Sequence, residues 1–294
     1  MLSPDLFRHR ICSWSQQVPV RDLFSPLARN FESDIFVIVV GYIDESYSSE
    51  TPPRTFGLSC LLAMGSEWPW VELAIHKVIE DKNRELIESA RKPIERLHAG
   101  DMSSFVGDFK DWNGDERTEF TKRCVAQIFQ PHQFGYLSCT LSLKDLQEVW
   151  PDLGQPALEF AYLIAVKFLL LKLPELVRQR FAGNRNVSLI HERCAFDGAM
   201  RNAFNSFLKD SSMPDRDMFT TIAPMGWKTC TPLQVADFFA YEAMKESHRF
   251  EVEPLRSTRL SLVALRDLHS IQGRGFHITK HGIVELKRGL VSIP

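Results

Sequence analysis

The sequence lacks the features that define several common classes of protein. It has six cysteines but no Cys-x-x-Cys pair, and a chain of 294 residues needs no disulfide bonds to hold a core. We therefore expect reduced thiols in a cytoplasmic protein, and no cysteine-bound zinc. No run of about 18 uncharged apolar residues is present, so we expect no membrane partner. Arg8, His9 and Arg10 interrupt the apolar segment that a signal peptide needs, so secretion is not expected either.

The chain also lacks an excess of charge of either sign. It has 35 basic and 37 acidic residues and a net charge of −2, so no overall positive field attracts nucleic acid. This argues against a protein that coats nucleic acid, but not against an enzyme that cuts it, since a metal-dependent phosphodiesterase needs only a local basic surface. The motifs of zinc proteases, P-loop proteins, serine hydrolases and dinucleotide-binding enzymes are absent from the sequence.

The pattern of apolar residues predicts an α/β fold with a mixed central sheet covered by helices. An apolar, β-branched run over residues 35–43 predicts a strand buried on both faces, and residues 55–64 predict its hairpin partner. Further strand and helix patterns alternate along the chain, which is typical of the α/β class. We expect an N-terminal extension over residues 1–33, one domain over residues 34–249, and a helical and basic appendage over residues 250–294.

Two acidic residues follow predicted strands. Asp44 stands after the most hydrophobic strand, and Glu192 stands after a shorter strand over residues 187–191. Ligand sites in open α/β sheets lie outside the carboxyl ends of the strands, so both acids are candidates for a site. Each could also be an ordinary turn residue, with Glu192 paired to Arg193, and Asp197 could take the place of Glu192.

A third acid, Asp237, lies within a predicted helix over residues 231–246. Thr231 is expected to be the N-cap of this helix, with Gln234 completing a capping box. Asp237 falls on the same face as the apolar residues that follow Leu233 at helical spacing. An unpaired carboxylate on a buried face costs several kcal/mol, so Asp237 must pair with a buried Arg, a strong donor or a metal ion.

Asp44, Glu192 and Asp237 can converge on one point if the helix packs on the sheet. Carboxylate oxygens are the ligands that Mg²⁺ and Mn²⁺ prefer, and these ions keep positions open for phosphate oxygens. One ion can generate a hydroxide while a second, roughly 4 Å away, stabilises the leaving oxygen. The three acids therefore predict a Mg²⁺ or Mn²⁺ site that acts on phosphate esters.

Three short motifs stand in a characteristic order along the chain. They are Tyr42-Ile-Asp-Glu-Ser46, Leu97-His-Ala-Gly-Asp101 and Leu233-Gln-Val-Ala-Asp-Phe-Phe-Ala240. Together with the acid at the end of a strand, they resemble the bacterial family called domain of unknown function 3800, over about residues 35–248. Tyr47 stands where that family usually has Gly, and Glu192 stands where it more often has Asp.

The resemblance implies a ribonuclease H-like fold and a two-metal nuclease. The metal-holding acids of such a site match three residues of this chain position by position: Asp44, Glu192 and Asp237. The supporting catalytic residues would then be Glu45, His98 and Asp101. His98 could act as general acid or base, or orient the phosphate, or it could simply be satisfied by backbone groups in a turn.

Two further segments could contact a substrate. Lys228 could meet a phosphate and Trp227 could stack on a base, although both could also belong to a plain surface loop. The basic segment over residues 274–288 could follow a phosphate backbone, or it could be a solvated face.

The sequence therefore predicts a Mg²⁺- or Mn²⁺-dependent nuclease whose substrate is DNA or RNA. Two alternatives remain open. The same fold could be an inactive binding module for a protein or nucleic-acid partner, or the metal site could hydrolyse a small phosphate ester.

Overall fold

The computed structural model describes residues 38–49, 54–152, 156–181, 186–213 and 215–291. The predicted N-terminal extension, residues 1–33, lies outside the described residues.

Within these ranges the chain forms six strands and nine α-helices. The strands are β1 (Val39–Tyr47), β2 (Thr55–Met64), β3 (Phe134–Ser142), β4 (Val187–Glu192), β5 (Phe219–Met225) and β6 (Ile271–Ile278). The helices are α1 (Trp68–Glu88), α2 (Ala99–Ser104), α3 (Gly114–Cys124), α4 (Leu143–Val149), α5 (Ala157–Arg180), α6 (Asp197–Lys209), α7 (Leu233–Val252), α8 (Leu260–Arg266) and α9 (Lys280–Val291).

The strands form one mixed sheet in the order β5-β4-β1-β2-β3-β6. β1, β2 and β3 are antiparallel neighbours, whereas β4 runs parallel to β1, β5 parallel to β4, and β6 parallel to β3. The predicted α/β class with a mixed, helix-covered sheet is therefore confirmed, as is the hairpin of β1 and β2.

Helices cover both faces of the sheet and form a core on each side. On one side, residues of α1, α3 and α7 pack against strand residues that include Val40 and Tyr42 of β1. On the other side, residues of α5 and α6 pack against residues that include Val39 and Ile43. Side chains alternate along a strand, so Asp44 continues the face covered by α7 and Glu45 continues the face covered by α5.

The first strand extends further than its apolar run predicts. β1 pairs with β2 as far as Tyr47, whereas its pairing with β4 ends at Ile43 and His191. Asp44 and Glu45 therefore lie inside β1, beyond the last residue at which β4 pairs with it. The sequence places the end of the strand at residue 43 because the apolar residues stop there, but the hairpin partner keeps the backbone extended.

Helix α7 differs from its predicted form in two ways. Its first helical residue is Leu233, Pro232 takes the N-cap position, and no side chain caps the helix, so the predicted capping box of Thr231 and Gln234 is wrong. Burial is not limited to one stripe either, because Gln234, Asp237 and Glu242 are buried together with the apolar residues. The reason is that α7 packs on β1, β2 and β3 and is also covered by α2.

The C-terminal segment, residues 250–294, was expected to be a helical and basic appendage, but residues 271–278 form β6 and extend the sheet. Only Ile271 and Ile278 of this strand are buried, so it has no apolar run that predicts a strand. Gly273 permits its close approach to β3, because a Cβ atom there would lie 1.9 Å from the carbonyl oxygen of Tyr136. Within the described ranges, no helix combines the length and the apolar character needed to cross a bilayer.

Replacing Gly273 with Ala should separate β6 from β3. The new Cβ would collide with backbone, which a side-chain rotation cannot relieve, so we expect the free energy of unfolding to fall by about 1–3 kcal/mol. Gly275 on the same strand is the matched control, because a Cβ there meets no atom within 4 Å. Urea unfolding of both variants measures the difference, and equal stability of the two would contradict this packing of β6.

Candidate functional site

Four carboxylates gather where β4 stops pairing with β1. Asp44 and Glu45 come from β1, Glu192 is the last residue of β4, and Asp237 comes from the first two turns of α7. Asp44 is 4% exposed and Asp237 is 8% exposed, so both carboxylates have lost nearly all of their contact with water. Glu45 and Glu192 are half-buried.

The alternation of side chains divides these acids between the two faces of the sheet. Ile190 belongs to the core beneath α7, so Glu192, two residues further on, faces the same side as Asp44 and Asp237. His191 lies on the other face, where its Nδ1 is 3.7 Å from Asp197 Oδ1 on α6. Glu192, rather than Asp197, is therefore the acid of this segment that shares a face with Asp44 and Asp237.

The electrostatics of Asp44 and Glu45 follow from burial and from the other acids. Burial, followed by the charges of Asp237, Glu45 and Glu192, holds the pKa of Asp44 well above its ordinary value. Burial also raises the pKa of Glu45 from 4.5 to about 7, although a hydrogen bond from Tyr162 opposes the increase. Both carboxyl groups therefore retain a proton to a higher pH than a solvated acid does.

Asp237 is also buried, and its surroundings are different. Burial, and to a smaller extent the charge of Glu192, raises its pKa, whereas His98, the backbone N–H of Ala99 and Arg96 act in the opposite direction. The Ala99 N–H donates to Asp237 Oδ2 at 2.7 Å. In the described structure no Arg or Lys forms an ion pair with Asp237, so the strong donor that its burial requires is a backbone group.

No ion pair within the described part of the chain balances the charge of this cluster. Among the residues that the structure describes, Asp44, Glu45, Glu192 and Asp237 have no cationic side chain within ion-pair distance. The same part of the chain contains no group of three or more His, Cys, Asp or Glu side chains arranged to hold a metal ion. Two of the carboxylate oxygens are already engaged, since Asp44 Oδ1 accepts from the N–H of Glu45 at 2.8 Å and Asp237 Oδ2 from that of Ala99.

Two of the sequence motifs contact each other directly. The N–H of Leu97 donates to Gln234 Oε1 at 2.7 Å, and the N–H of Ala99 donates to Asp237 Oδ2 at the same distance. Gln234 and Asp237 are three residues apart on α7, so they present neighbouring acceptors to alternate N–H groups of an extended segment. Gln234 therefore fixes the loop that carries His98 instead of capping its own helix.

His98 and Asp101 form a pair at the edge of the site. His98 Nδ1 lies 3.0 Å from Asp101 Oδ2, and the Asp101 N–H donates to the same nitrogen at 3.4 Å, which places His98 at the N-cap of α2. Both contacts use Nδ1, which accepts from this N–H when it carries no proton and donates to Asp101 Oδ2 when it does, so the ring is held without Nε2 in either state. Both side chains keep about a third of their surface exposed, at 31% for His98 and 36% for Asp101.

Tyr162 reaches the site from the opposite face of the sheet, and the sequence analysis does not identify it. Its hydroxyl donates to Glu45 Oε2 at 3.2 Å and accepts a long contact of 3.7 Å from Cys194 Sγ. Burial, followed by the charge of Glu45, raises the pKa of Tyr162 well above its ordinary value. The available signal was a hydroxyl in a nearly continuous apolar helix, since a buried Tyr needs a hydrogen-bond partner.

The candidate substrate residues Trp227 and Lys228 lie in the loop between β5 and α7. Lys228 Nζ is 5.3 Å from the centre of the Trp227 ring, and the guanidinium of Arg96 is 4.6 Å from it. Arg96 directly precedes the Leu97 motif, and the sequence analysis does not identify it either.

The basic segment over residues 274–288 forms part of β6 and α9 rather than a tail. Several of its cations have partners on neighbouring elements: Arg274 pairs with Glu175 at 3.7 Å, and Lys280 pairs with Glu148. Lys287 donates to the carbonyl oxygen of Val149 at 2.6 Å. These contacts favour a structural role for the segment over the backbone-binding role considered from the sequence.

No model of a known protein family matches the chain, and a search of curated proteins gives no match. The resemblance to the domain of unknown function 3800 family therefore stays a prediction that rests on its three motifs.

Replacing Asp44 with Asn should stabilise the protein at pH 7.5. Because the folded state raises the pKa of Asp44 and Glu45, it binds protons more tightly than the unfolded chain. The two carboxyl groups therefore destabilise the folded state least below pH 4, and they lower the free energy of unfolding as the pH rises toward 7. We expect the variant to gain about 1 kcal/mol or more at pH 7.5 and little at pH 4, measured by urea unfolding.

The matched control is Glu116→Gln. Glu116 pairs with Lys82 and Arg91, both at 2.8 Å, and these hydrogen bonds and charges outweigh burial and lower its pKa. Its removal should destabilise the protein at pH 7.5, with the effect decreasing in acid. Destabilisation by both variants at pH 7.5 would contradict an uncompensated acidic cluster at Asp44.

Proposed function

We propose that the protein is a Mg²⁺- or Mn²⁺-dependent nuclease that hydrolyses phosphodiester bonds of DNA or RNA. One observation carries the proposal: the buried Asp44 and Asp237 gather with the half-buried Glu192 without an ion pair among the described residues, and neighbouring carboxylates raise the pKa of Asp44 and Asp237. Such an arrangement is costly unless a cation binds there. The positions of the acids, on the first strand, on a later strand and on a late helix, are those that the ribonuclease H-like resemblance implies.

The donor set fits a hard divalent cation in charge and in atom type. Asp44, Glu192 and Asp237 offer carboxylate oxygens from the same face of the sheet, and these three residues would hold the metal. Because no metal-holding group is formed in the described chain as it stands, binding requires the carboxylates to reorient toward each other. Glu192 is half-buried, and Asp44 and Asp237 each have one oxygen held by a backbone donor, which leaves the other oxygen of each available to a metal.

Asp44, Glu192 and Asp237 would hold a Mg²⁺ or Mn²⁺ ion that, when bound, would activate water and neutralise charge on the departing oxygen. The protein's own residues position the rest. His98, held through Nδ1 by Asp101, offers Nε2 for proton transfer at the edge of the cluster. The hydrogen bond from Ala99 to Asp237 keeps His98 beside that acid, because the two residues are adjacent in the same segment. Glu45, held by Tyr162, adds a further carboxyl group from the opposite face.

A second candidate function is a binding module for nucleic acid or a protein in which the acids are inactive. It is favoured by the lack of a formed metal-holding group within the described ranges. Metal binding and cleavage distinguish the two functions, and they are tested separately below.

Mg²⁺ or Mn²⁺ should raise the thermal stability of the protein. A ligand that binds only the folded state stabilises it by about 2.7 kcal/mol at 100 times its dissociation constant. We expect this stabilisation to be lost in Asp237→Asn and kept in Asp217→Asn, whose side chain is 97% exposed. Differential scanning fluorimetry with each metal checks the expectation, and equal shifts in the two variants would place the metal elsewhere.

The protein should cleave labelled DNA or RNA only when Mg²⁺ or Mn²⁺ is present. Loss of a metal-holding carboxylate removes the activated water, so Asp44→Asn and Asp237→Asn should lose at least about a hundred-fold in rate while remaining folded. The panel should contain single and double strands of both nucleic acids and a small phosphodiester. Cleavage of the small ester alone would replace the nuclease with a phosphohydrolase, and no cleavage of any substrate would favour the binding module.

A further inference from the structure

A half-buried tryptophan stands beside the acidic cluster with two cations over its ring. The N–H and the hydroxyl of Thr229 both donate to the carbonyl oxygen of Gly226, at 3.0 and 2.9 Å. This closes a turn that has Trp227 and Lys228 at its centre. The indole is therefore presented by a fixed turn and not by a free loop.

The turn lies next to one of the candidate metal-holding acids. Met225, the last residue of β5, pairs with Glu192 at the end of β4, and the N–H of Arg193 donates to the Met225 carbonyl oxygen at 2.9 Å. Trp227 follows Met225 by two residues. The register of the sheet thus fixes the tryptophan turn beside Glu192.

Arg96, the second cation at the Trp227 ring, is fixed on the other side of the site. The next residue, Leu97, is hydrogen-bonded to Gln234, and Ala99 is hydrogen-bonded to Asp237. Arg96 places its guanidinium 4.6 Å from the Trp227 ring and is close enough to Asp237 to act on its pKa. A cation–π contact thus joins the two loops that flank the acids.

The charges of the cluster and of its rim are opposite. The acids repel a phosphate chain, so a polyanionic substrate needs cations at the rim to approach them. Arg96 and the exposed Lys228 provide these cations, and the half-buried Trp227 ring that both contact offers a π surface. An aromatic ring with cations next to it suits an unpaired nucleobase with its neighbouring phosphate, whereas the bases of a duplex are stacked on each other and are not accessible.

We propose that Arg96, Trp227 and Lys228 form a subsite that stacks one base of a single-stranded nucleic acid beside the acidic cluster. That the ligand is a nucleic acid rests on the proposed function, and the subsite adds to that function a preference for single strands. Trp227 stacks on the base, Arg96 holds the ring and faces the phosphate chain, and Lys228 contacts a phosphate.

Fluorescence anisotropy with labelled oligo-dT, oligo-U and a DNA duplex tests this subsite. The full protein is used in EDTA, so that binding is measured without cleavage. Trp227→Ala should weaken binding of the single strands roughly ten-fold or more, while Trp227→Phe should stay within about three-fold because a ring remains. Trp70→Ala is the matched control, since Trp70 is a 51% exposed tryptophan on α1, and it should bind like the unaltered protein.

The salt dependence of binding isolates the contact of Lys228 with phosphate. For a single strand, removal of one phosphate contact should reduce the slope of log affinity against log salt by about 0.7. Lys228→Ala should show this change, and an unchanged slope would overturn the role given to Lys228.

The stacking subsite is overturned if the unaltered protein binds no single strand, if Trp227→Ala binds as well as Trp227→Phe, or if the loss is equal for duplex and single strands. These readouts are independent of the metal. If binding depends on Trp227 but no metal-dependent cleavage occurs, the subsite proposal stands and the nuclease proposal fails. The failure of each proposal can therefore be recognised separately.

Discussion

Electrostatic repulsion among four neighbouring acids, in a place that is largely closed to water, is the main constraint on this structure. The four residues are Asp44, Glu45, Glu192 and Asp237. Burial raises the pKa of Asp44 and Glu45, and the charges of neighbouring carboxylates raise it further. Natural proteins keep such clusters where an uncompensated charge has a use, since an apolar replacement would be more stable. The acids are therefore better explained by a cation or a reaction than by a contribution to stability.

Two backbone donors connect this cluster to the rest of the chain. Leu97 and Ala99 donate to Gln234 and Asp237, and these two hydrogen bonds hold the segment that carries Arg96 and His98 against α7. On the other side, the pairing of β4 with β5 brings the Trp227 turn beside Glu192. Acids on a rigid sheet and helix are thus bordered by loops that carry the cations, the aromatic ring and the histidine, which is the usual division between scaffold and site.

Much of the scaffold could be predicted from the sequence, because apolar runs identify the β1–β2 hairpin and β4, and helical spacing identifies the helix that carries Asp237. β6 could not, since only its two terminal isoleucines are buried and its fit depends on Gly273 meeting Tyr136. Asp44, Glu192 and Asp237 were recognisable as acids at strand ends and on a buried helix. The roles of Gln234, Arg96 and Tyr162 were not, because they depend on contacts between residues more than 110 positions apart.

A crystal structure with Mn²⁺, in which anomalous scattering locates the ion, tests directly whether the acidic cluster holds a metal. We expect an ion within roughly 2–2.5 Å of carboxylate oxygens of Asp44, Glu192 and Asp237, with these side chains turned toward one another. An acidic cluster without a bound ion at saturating Mn²⁺, or an ion held only by acids elsewhere on the surface, would contradict this expectation.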